Sequence, residues 1–574
     1  MEERLRHFAV LSQCCLLVLL LTAFYLQVVR SAYYKDLSSA NRIRIIPLPA
    51  PRGTILDRNG VVLAGNRVAF SVVALPQELP DADAVFARLS PYVDIEPDEL
   101  KRRYTKNYYV PFAPAVLMDD IKKEKALYLE EVLSEMPGIA IRPSFVREYP
   151  LGTVGAHMVG YVGEITAAEL DRLKEYGYRM KDVVGRQGIE EQYDSYMRGV
   201  AGGKQIEADN RGRQVRVLGS RLPRAGKDVR LTVDSALQAY IRGLLQGYTG
   251  AVVVLDAQTG AVLAMESTPG FDPNVFVRRD EGAIRTLQRS SVAPFLNRAL
   301  SGRYPPGSIF KLVVACAALE KGGVQKNQLY ECQGYVYVGD ARIRCWRREG
   351  HGFVNVTEAL IGSCNVYFIQ AGLKVGPVLL EKYARLFGFG SATGIELGHE
   401  YDGLVPNKLW KRQHMHAGWY DGDTANMAIG QGYIIVTPLQ VARMTAAIAN
   451  GGRLLRPYLV EQIGGLGVAR VAATDTDVSQ GTLRIIRDAM TGVIREARGT
   501  GHTASTKEVA IAAKTGTAQT AMPAKTHAWF TGFAPAEKPR IAFVILIEYG
   551  GSGGDTPALI ARQLVLYAKE QGLL

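Results

Sequence analysis

From Phe8 to Val29 the chain reads FAVLSQCCLLVLLLTAFYLQVV, an apolar run without a single charge. About 20 apolar residues carry a helix across a bilayer, so the run predicts an uncleaved membrane anchor. A secretory leader would have a shorter apolar stretch, about 7–15 residues, and a small-residue cleavage site. Arg30-Ser31-Ala32 makes a poor one. No second run of this length follows, so one large soluble part on a single tether is expected.

After the anchor the pattern shortens. Residues 30–66 read as extended and basic. Asn59-Gly60, between Ile55-Leu56 and Val61-Val62-Leu63, predicts a hairpin turn. Residues 80–140, rich in Glu, Asp, Lys and Leu, predict short helices. From 145 to 230, glycines punctuate strand-like pieces, and a composition shift near 228 marks a domain boundary. Beyond it, the apolar stretches Gly250 to Asp256 and Ala261 to Met265 predict two strands around a polar turn ending in Gly260. The rest mixes helices with a few strands and holds no internal repeat.

Composition narrows the class. With 574 residues, 47% hydrophobic and 22% charged, the chain suits several globular domains and excludes a collagen-like, disordered or coiled-coil whole. The net charge of +12 fits nucleic acid, an anionic membrane surface or an acidic polymer without choosing among them. It is dense over 201–230, where Lys204, Arg211, Arg213, Arg216, Arg221, Arg224, Lys227 and Arg230 face only Glu207, Asp209 and Asp228. That stretch reads either as a basic patch facing membrane or wall polymer, or as a solvated hairpin face.

Six cysteines exclude a disulfide framework, and no CxxC pair suggests a zinc ribbon. His414 and His416 have no third ligand at convincing spacing, so no metal site is expected. Cys332 and Cys345 flank a strand-rich insert before Trp346 and could pair as a disulfide outside the cytoplasm. Cys316 and Cys364 read as small core residues. Gly550-Gly551-Ser552-Gly553-Gly554 fits a nucleophile-elbow spacing, but all eight histidines precede Ser552, and an α/β-hydrolase needs its histidine after the serine.

The chemistry concentrates in three short strings. In Pro305-Pro306-Gly307-Ser308-Ile309-Phe310-Lys311 a helix-start signal precedes an apolar helical run. Ser308 would sit at the helix N-terminus, where unpaired N–H groups favour developing negative charge. Lys311, three residues on, shares its face and could take its proton if desolvated. Ser363-Cys364-Asn365 sets a hydroxyl and an amide on an apolar segment, costly unless they are paired or used. Lys514-Thr515-Gly516-Thr517 predicts a strand whose glycine lets a ligand backbone approach, and whose cation and hydroxyls could hold a carboxylate. Each string alone is common, and S-x-x-K on its own is usually a capping serine and a surface lysine.

S-x-x-K, S-x-N and K-T-G in this order resemble the signature of active-site-serine penicillin-binding proteins and β-lactamases. Arg52-Gly53-Thr54-Ile55, Asp57-Arg58-Asn59-Gly60, Gly160-Tyr161-Val162-Gly163-Glu164-Ile165 and Gly188-Ile189-Glu190-Glu191-Gln192-Tyr193-Asp194 are similar to the pedestal of the class B penicillin-binding proteins. Ile429-Gly430-Gln431-Gly432-Tyr433, Thr437-Pro438-Leu439-Gln440 and the string from His527 to Pro535 resemble the transpeptidase domain, the last most like the elongation-type branch, the penicillin-binding protein 2 group.

The resemblance implies a multidomain fold of α/β and α+β character: a cytoplasmic tail (1–7), a single transmembrane helix (8–29), an elongated strand-rich pedestal (30–228) and a β-lactamase-like transpeptidase domain with a central antiparallel sheet and helices (229–574). It implies a D,D-transpeptidase that crosslinks peptidoglycan stem peptides ending in D-Ala-D-Ala through an acyl-serine, is inhibited by β-lactams, and needs no cofactor. Ser308 would be the nucleophile, Lys311 its base, Ser363 the proton relay and Asn365 the group that orients Lys311 or the substrate amide. Lys514, Thr515, Gly516 and Thr517 would hold the terminal carboxylate, and the backbone N–H groups of Ser308 and Thr517 would form the oxyanion hole.

A SEDS-family, RodA-type glycan polymerase in the membrane is the implied partner, and no nucleic acid is. The positive charges flanking the anchor do not favour an outward C-terminus, but the substrate lies outside, so Met1 is expected to face the cytoplasm. A membrane-anchored β-lactamase, a penicillin-sensing receptor and a non-catalytic scaffold are the rival readings. Against the first, no E-x-x-x-N lies between Asn365 and Lys514, and the middle of S-x-N is Cys364 rather than Asp.

Overall fold

The computed structural model describes residues 2–35, 43–108, 113–133, 135–208, 214–522 and 525–574. Arg211 and Arg213 of the basic stretch, with Asp209, lie outside the described residues. The apolar run is one helix, α-helical over Glu2–Phe24 and a π-turn over Tyr25–Val29. None of its residues is buried, and it is long and apolar enough to cross a membrane.

The chain folds into two compact units, each built from separate segments. One takes Met1–Arg52, Asn66–Val146 and Gly199–Gly226; the other takes Gly53–Gly65, Arg147–Arg198 and Lys227–Leu574.

In the first unit Ile43–Leu48, Gly202–Ala208 and Gln214–Arg221 form a three-stranded antiparallel sheet. The basic stretch is thus largely a hairpin, with Arg216, Arg221 and Arg224 exposed and Arg216 paired to Glu207 at 2.6 Å. The expected short helices are Ala82–Val93, Pro97–Asn107 and Lys123–Leu133. They pack Phe86, Leu89 and Leu129 against Val72 and Leu117 of two paired strands. One of these, Ala115–Ile121, was not expected; its alternating burial marks a strand with one face on the core.

In the second unit the Asn59-Gly60 turn forms as expected. Gly60 takes φ +86°, and Asp57 Oδ1 accepts from the N–H groups of Asn59 and Val61 at 2.8 Å each. The flanking residues pair antiparallel, Ile55 with Ala64 and Leu56 with Val62. Nearby, buried Arg147 donates from Nε to Glu190 at 2.6 Å and from Nη1 to the Gly53 carbonyl at 2.8 Å, tying the pedestal-like strings together.

The centre of this unit is a five-stranded antiparallel sheet. Its strands are β1 (Gly250–Asp256), β2 (Val262–Thr268), β3 (Ala512–Gln519), β4 (Thr526–Ala534) and β5 (Ile541–Ile547), in spatial order β2-β1-β5-β4-β3. Successive residues face opposite sides, so Val253 and Leu255 enter one core and Val252 and Val254 the other. Covered on both faces, the strands are continuous apolar runs rather than alternating ones.

Five helices matter to the site: α1 (Lys311–Glu320), α2 (Asn365–Val375), α3 (Pro438–Ala449), α4 (Gln480–Arg495) and α5 (Thr556–Glu570). The α3 helix lies across one sheet face and is buried along nearly its whole length; α5 packs on the other. Strand β3 is an edge, the only kind of strand that can offer backbone groups to a bound peptide.

Candidate active site

The Pro-Pro-Gly string ends in a 3₁₀ turn, Gly307–Phe310, that runs into α1. Ser308 therefore stands at the head of the helix, half-buried, with Lys311 opening the α-helical part. The turn is seated by close backbone approaches. Gly307, at φ +54°, passes so near β3 that a Cβ would lie 2.7 Å from the Thr517 carbonyl oxygen, and its N–H donates to Gly430 O at 2.9 Å. Trp529 Nε1 holds the preceding Pro305 carbonyl at 3.1 Å. This brings the Ser308 turn beside Thr517, two residues expected to share a function 209 positions apart in sequence.

Two fully buried lysines meet at Ser363. Lys311 Nζ donates to Asn365 Oδ1 at 2.7 Å, to the Ser363 carbonyl at 2.8 Å and to Ser363 Oγ at 3.3 Å. Lys514 Nζ donates to Ser363 Oγ at 2.9 Å and to Thr515 O at 3.0 Å. One hydroxyl thus bridges two ammonium groups. Burial lowers the pKa of Lys311 to about 8. Burial, and then the charge of Lys311, holds Lys514 well below the ordinary lysine value. Two buried cations with no carboxylate between them are costly, which favours the neutral amine on at least one and makes it a base.

The expected orienting role of Asn365 has a direct contact behind it. Lys514 also makes a contact the sequence did not show, donating from Nζ to Ser363 Oγ. Thr515 Oγ1 lies 2.6 Å from Thr500 Oγ1, and Thr517 is exposed. The Gly550–Gly554 string lies against the same strand, since a Cβ on Gly553 would meet Gly516 O at 2.5 Å.

Two site features have no sequence signal. Thr500 comes from the loop after α4. Trp346, more than half exposed, donates from Nε1 to the Gly362 and Ser363 carbonyls at 3.1 and 3.2 Å. Ser363 is held at φ +52°, a conformation rare for a residue with a side chain, and these donors help fix it.

The sequence left the pairing of Cys332 and Cys345 open. All six are free thiols. Cys364 is not merely a core residue: Cys332, Cys345, His351 and Cys364 bring their donor atoms within 4.8 Å of one another, the one such group among the described residues. His351 Nδ1 lies 3.6 Å from Cys332 Sγ and 3.5 Å from Cys345 Sγ, while Nε2 donates to the Gly362 carbonyl at 3.1 Å. A tetrahedral zinc with bonds of about 2.0–2.3 Å has donor–donor edges of about 3.3–3.8 Å, and the two His351–sulfur separations lie in that range. The Nε2 bond leaves the Nδ1 lone pair facing the sulfurs, the tautomer a metal needs. The sequence expectation of no metal site therefore meets a donor set that fits one. The spacing C-x12-C-x5-H-x12-C lacks the short CxxC pairs by which such sites are usually found.

Comparison with known proteins follows these lines. The penicillin binding protein transpeptidase domain family matches residues 250–566, and the penicillin-binding protein dimerisation domain family matches residues 47–231. The chain is 34% identical over 584 residues to the peptidoglycan D,D-transpeptidase MrdA of Salmonella typhimurium, covering 96% of this chain and 93% of that one. It is similar to penicillin-binding protein 2 in a complex with MreC from Helicobacter pylori, with TM-score 0.84 and 31% identity over 93% of this chain and 99% of that one. A second solved structure, described as a peptidoglycan synthase complex that coordinates polymerization and crosslinking, contains a chain matching with TM-score 0.71 and 32% identity, over 98% of this chain and 97% of that one.

Proposed function

The chain belongs to the class B penicillin-binding proteins, as a membrane-anchored peptidoglycan D,D-transpeptidase of the penicillin-binding protein 2 type, and on that premise we propose that Ser308 is its nucleophile and Lys311 its base. The observation that carries this reading is the shared hydroxyl: Ser363 Oγ accepts from both Lys311 and Lys514.

Ser308 Oγ attacks the penultimate D-Ala carbonyl of a stem peptide while Lys311, in the neutral form that burial makes easier to reach, takes the hydroxyl proton. The oxyanion collects on the N–H groups of Ser308 and Thr517, whose backbones meet across Gly307. As the C–N bond breaks, the proton passes from Lys311 through Ser363 Oγ to the leaving D-Ala amine. Asn365 keeps Lys311 aimed at Ser363. Thr515, Gly516 and Thr517 receive the terminal carboxylate, and Lys514 orients Ser363 through its hydrogen bond. The acceptor amine of a neighbouring stem then attacks the ester, and the same groups run in reverse. A β-lactam opens on Ser308 and stays as a stable ester.

The enzyme acts outside the cytoplasm, with Met1 inside and the soluble units outward. A SEDS-family glycan polymerase is the membrane partner; the relative found in a peptidoglycan synthase complex supports this.

The test is fluorescent penicillin on the detergent-solubilised chain beside Ser308→Ala. A stable label on Ser308 in the unmodified protein and none on the variant is expected. A label lost with turnover of the drug, or a label on the variant, overturns the assignment.

A further inference from the structure

We propose that Glu548 is a positioning residue for acylation: through the Tyr304 hydroxyl it fixes the turn that carries Ser308 against β3.

Glu548 follows the last residue of β5, and its N–H donates to Thr249 O at 2.7 Å. Its Oε1 takes two donors, Tyr304 Oη at 2.6 Å and Arg298 Nε at 2.9 Å. Both partners are buried. Arg298 spends its other nitrogens on the carbonyls of Ala293 and Val292, at 3.2 and 2.7 Å, and its backbone N–H on Ser267 Oγ at 2.9 Å. The guanidinium is thus a fixed post that sets the carboxylate. Burial and the charge of Glu548 raise the pKa of Tyr304, so its hydroxyl stays protonated and donates. A buried ion pair adds little net stability, because desolvation offsets the attraction. What this one supplies is an acceptor oxygen at a set place.

That place matters because Tyr304 opens the string that ends in Ser308. Its N–H donates to Val436 O at 3.1 Å, and its carbonyl accepts from the Val436 N–H at 2.9 Å. Its ring lies edge-on to Trp529, with centroids 6.0 Å apart at 84°, and Trp529 Nε1 in turn holds the Pro305 carbonyl. Gly302 leaves room for the ring: a Cβ there would lie 2.3 Å from Tyr304 Cε2. Only Pro305, Pro306 and Gly307 separate Tyr304 from Ser308. Two prolines of fixed φ, and a glycine tied to Gly430 O, make a stiff lead that passes a shift of Tyr304 on to Ser308 rather than absorbing it. Ser308 Oγ and the oxyanion donors must meet one carbonyl in one geometry, and a small misplacement is costly in rate.

The chain beyond Glu548 leads to the same strand. Gly550–Gly554 begins two residues on, and a Cβ on Gly553 would lie 2.0 Å from Trp529 O and 2.5 Å from Gly516 O. One carboxylate therefore stands between the turn of the nucleophile and the loop that backs Gly516.

The proposal rests on the acyl-serine reading, so the unmodified full chain in detergent is first labelled with fluorescent penicillin. No label there overturns that reading and this proposal with it; the outcomes below, on a chain that does label, bear on Glu548 alone. The drug-concentration dependence of stopped-flow labelling separates initial binding from the chemical step. Tyr304→Phe deletes the hydroxyl and leaves the Arg298–Glu548 pair intact. It should slow the chemical step about tenfold or more, with initial binding and the pH midpoint set by Lys311 unmoved. Glu548→Gln keeps an acceptor for Tyr304 and should retain most of the rate, whereas Glu548→Ala should be as slow as Tyr304→Phe. Combining Glu548→Ala with Tyr304→Phe should cost no more than the slower single variant, since one path is cut twice. Should Glu548→Ala fail to fold, Tyr304→Phe and Glu548→Gln still decide the matter. Tyr304→Phe acylating at the original rate overturns the proposal. So do losses that multiply in the double variant, a loss confined to initial binding, or a displaced pH midpoint.

Discussion

Lys514 Nζ sits 2.9 Å from Ser363 Oγ, although 151 residues separate them in the chain. Lys311 reaches the same oxygen at 3.3 Å. Removing that hydroxyl breaks the side-chain route that joins the two ammonium groups. Both lysines keep other acceptors: Ser363 O and Asn365 for Lys311, Thr515 O for Lys514. Ser363→Ala is therefore expected to fold, with a stability loss of about 1 kcal/mol for one hydrogen bond. Its acylation by penicillin should fall by about 10²-fold or more, the usual worth of a positioned proton carrier. Stopped-flow acylation beside a thermal melt checks this. A large loss in the melt with little change in acylation would mean that the hydroxyl is structural.

The pH profile follows from Lys311. Burial lowers its pKa to about 8, and a base acts only when unprotonated. Acylation should therefore rise with pH, fall about tenfold for each unit below that value, and level off above it. Lys311→Arg keeps a cation that stays charged at all accessible pH, so it should be inactive throughout rather than shifted. A rate that is flat across this range in the unmodified enzyme counts against Lys311 as the base.

How much of this was legible in the sequence depended on the range of the signal. The anchor, the Asn59-Gly60 hairpin and the β1–β2 pair are local patterns, and they folded as read. The three catalytic strings are local too, but their meeting is not: nothing in residues 305–311 shows that Gly307 will touch Thr517. Only the resemblance joined them. What stayed hidden has no short-range pattern. Trp346 and Thr500 are single residues on loops. The Cys3His quartet is spread over 33 positions, and each of its cysteines had a simpler local explanation. The Lys514–Ser363 contact is likewise a tertiary effect, because nothing local to either string shows that they will meet.

The turn that carries Ser308 depends on glycine at 430. Gly430 takes φ +71°, and a Cβ there would lie 2.0 Å from Gly307 O. The clash is between that Cβ and a backbone oxygen, so no side-chain rotation relieves it. Gly430→Ala must push the Ser308 turn away from Thr517. A stability loss of about 1–3 kcal/mol and a marked fall in acylation are expected. Gly247 has a similar φ of +82° with nothing within 4 Å of an added Cβ. Gly247→Ala should cost only the backbone strain, about 1 kcal/mol, and leave acylation alone. Equal effects from the two variants on acylation would show that backbone strain, and not the Gly307 contact, is what matters.

Trp346 offers the sharpest separation of positioning from packing. Its Nε1 donates to Gly362 O and Ser363 O at 3.1 and 3.2 Å, while its ring is more than half exposed and buries little. Trp346→Phe keeps most of the ring and deletes the donor. Ser363 O still accepts from Lys311, so no carbonyl is stranded there, and Gly362 O retains His351. The stability change should stay near 1 kcal/mol. Yet Ser363, held at φ +52°, loses one of the groups that fix it, and its Oγ must stay aligned with both lysines for proton transfer. A fall in acylation rate of about tenfold is therefore expected, with initial penicillin binding affected less than the chemical step. The split between binding and acylation, read from the drug-concentration dependence of labelling, checks it. A variant that acylates at the original rate would show that the lysines and the backbone alone hold Ser363 in place.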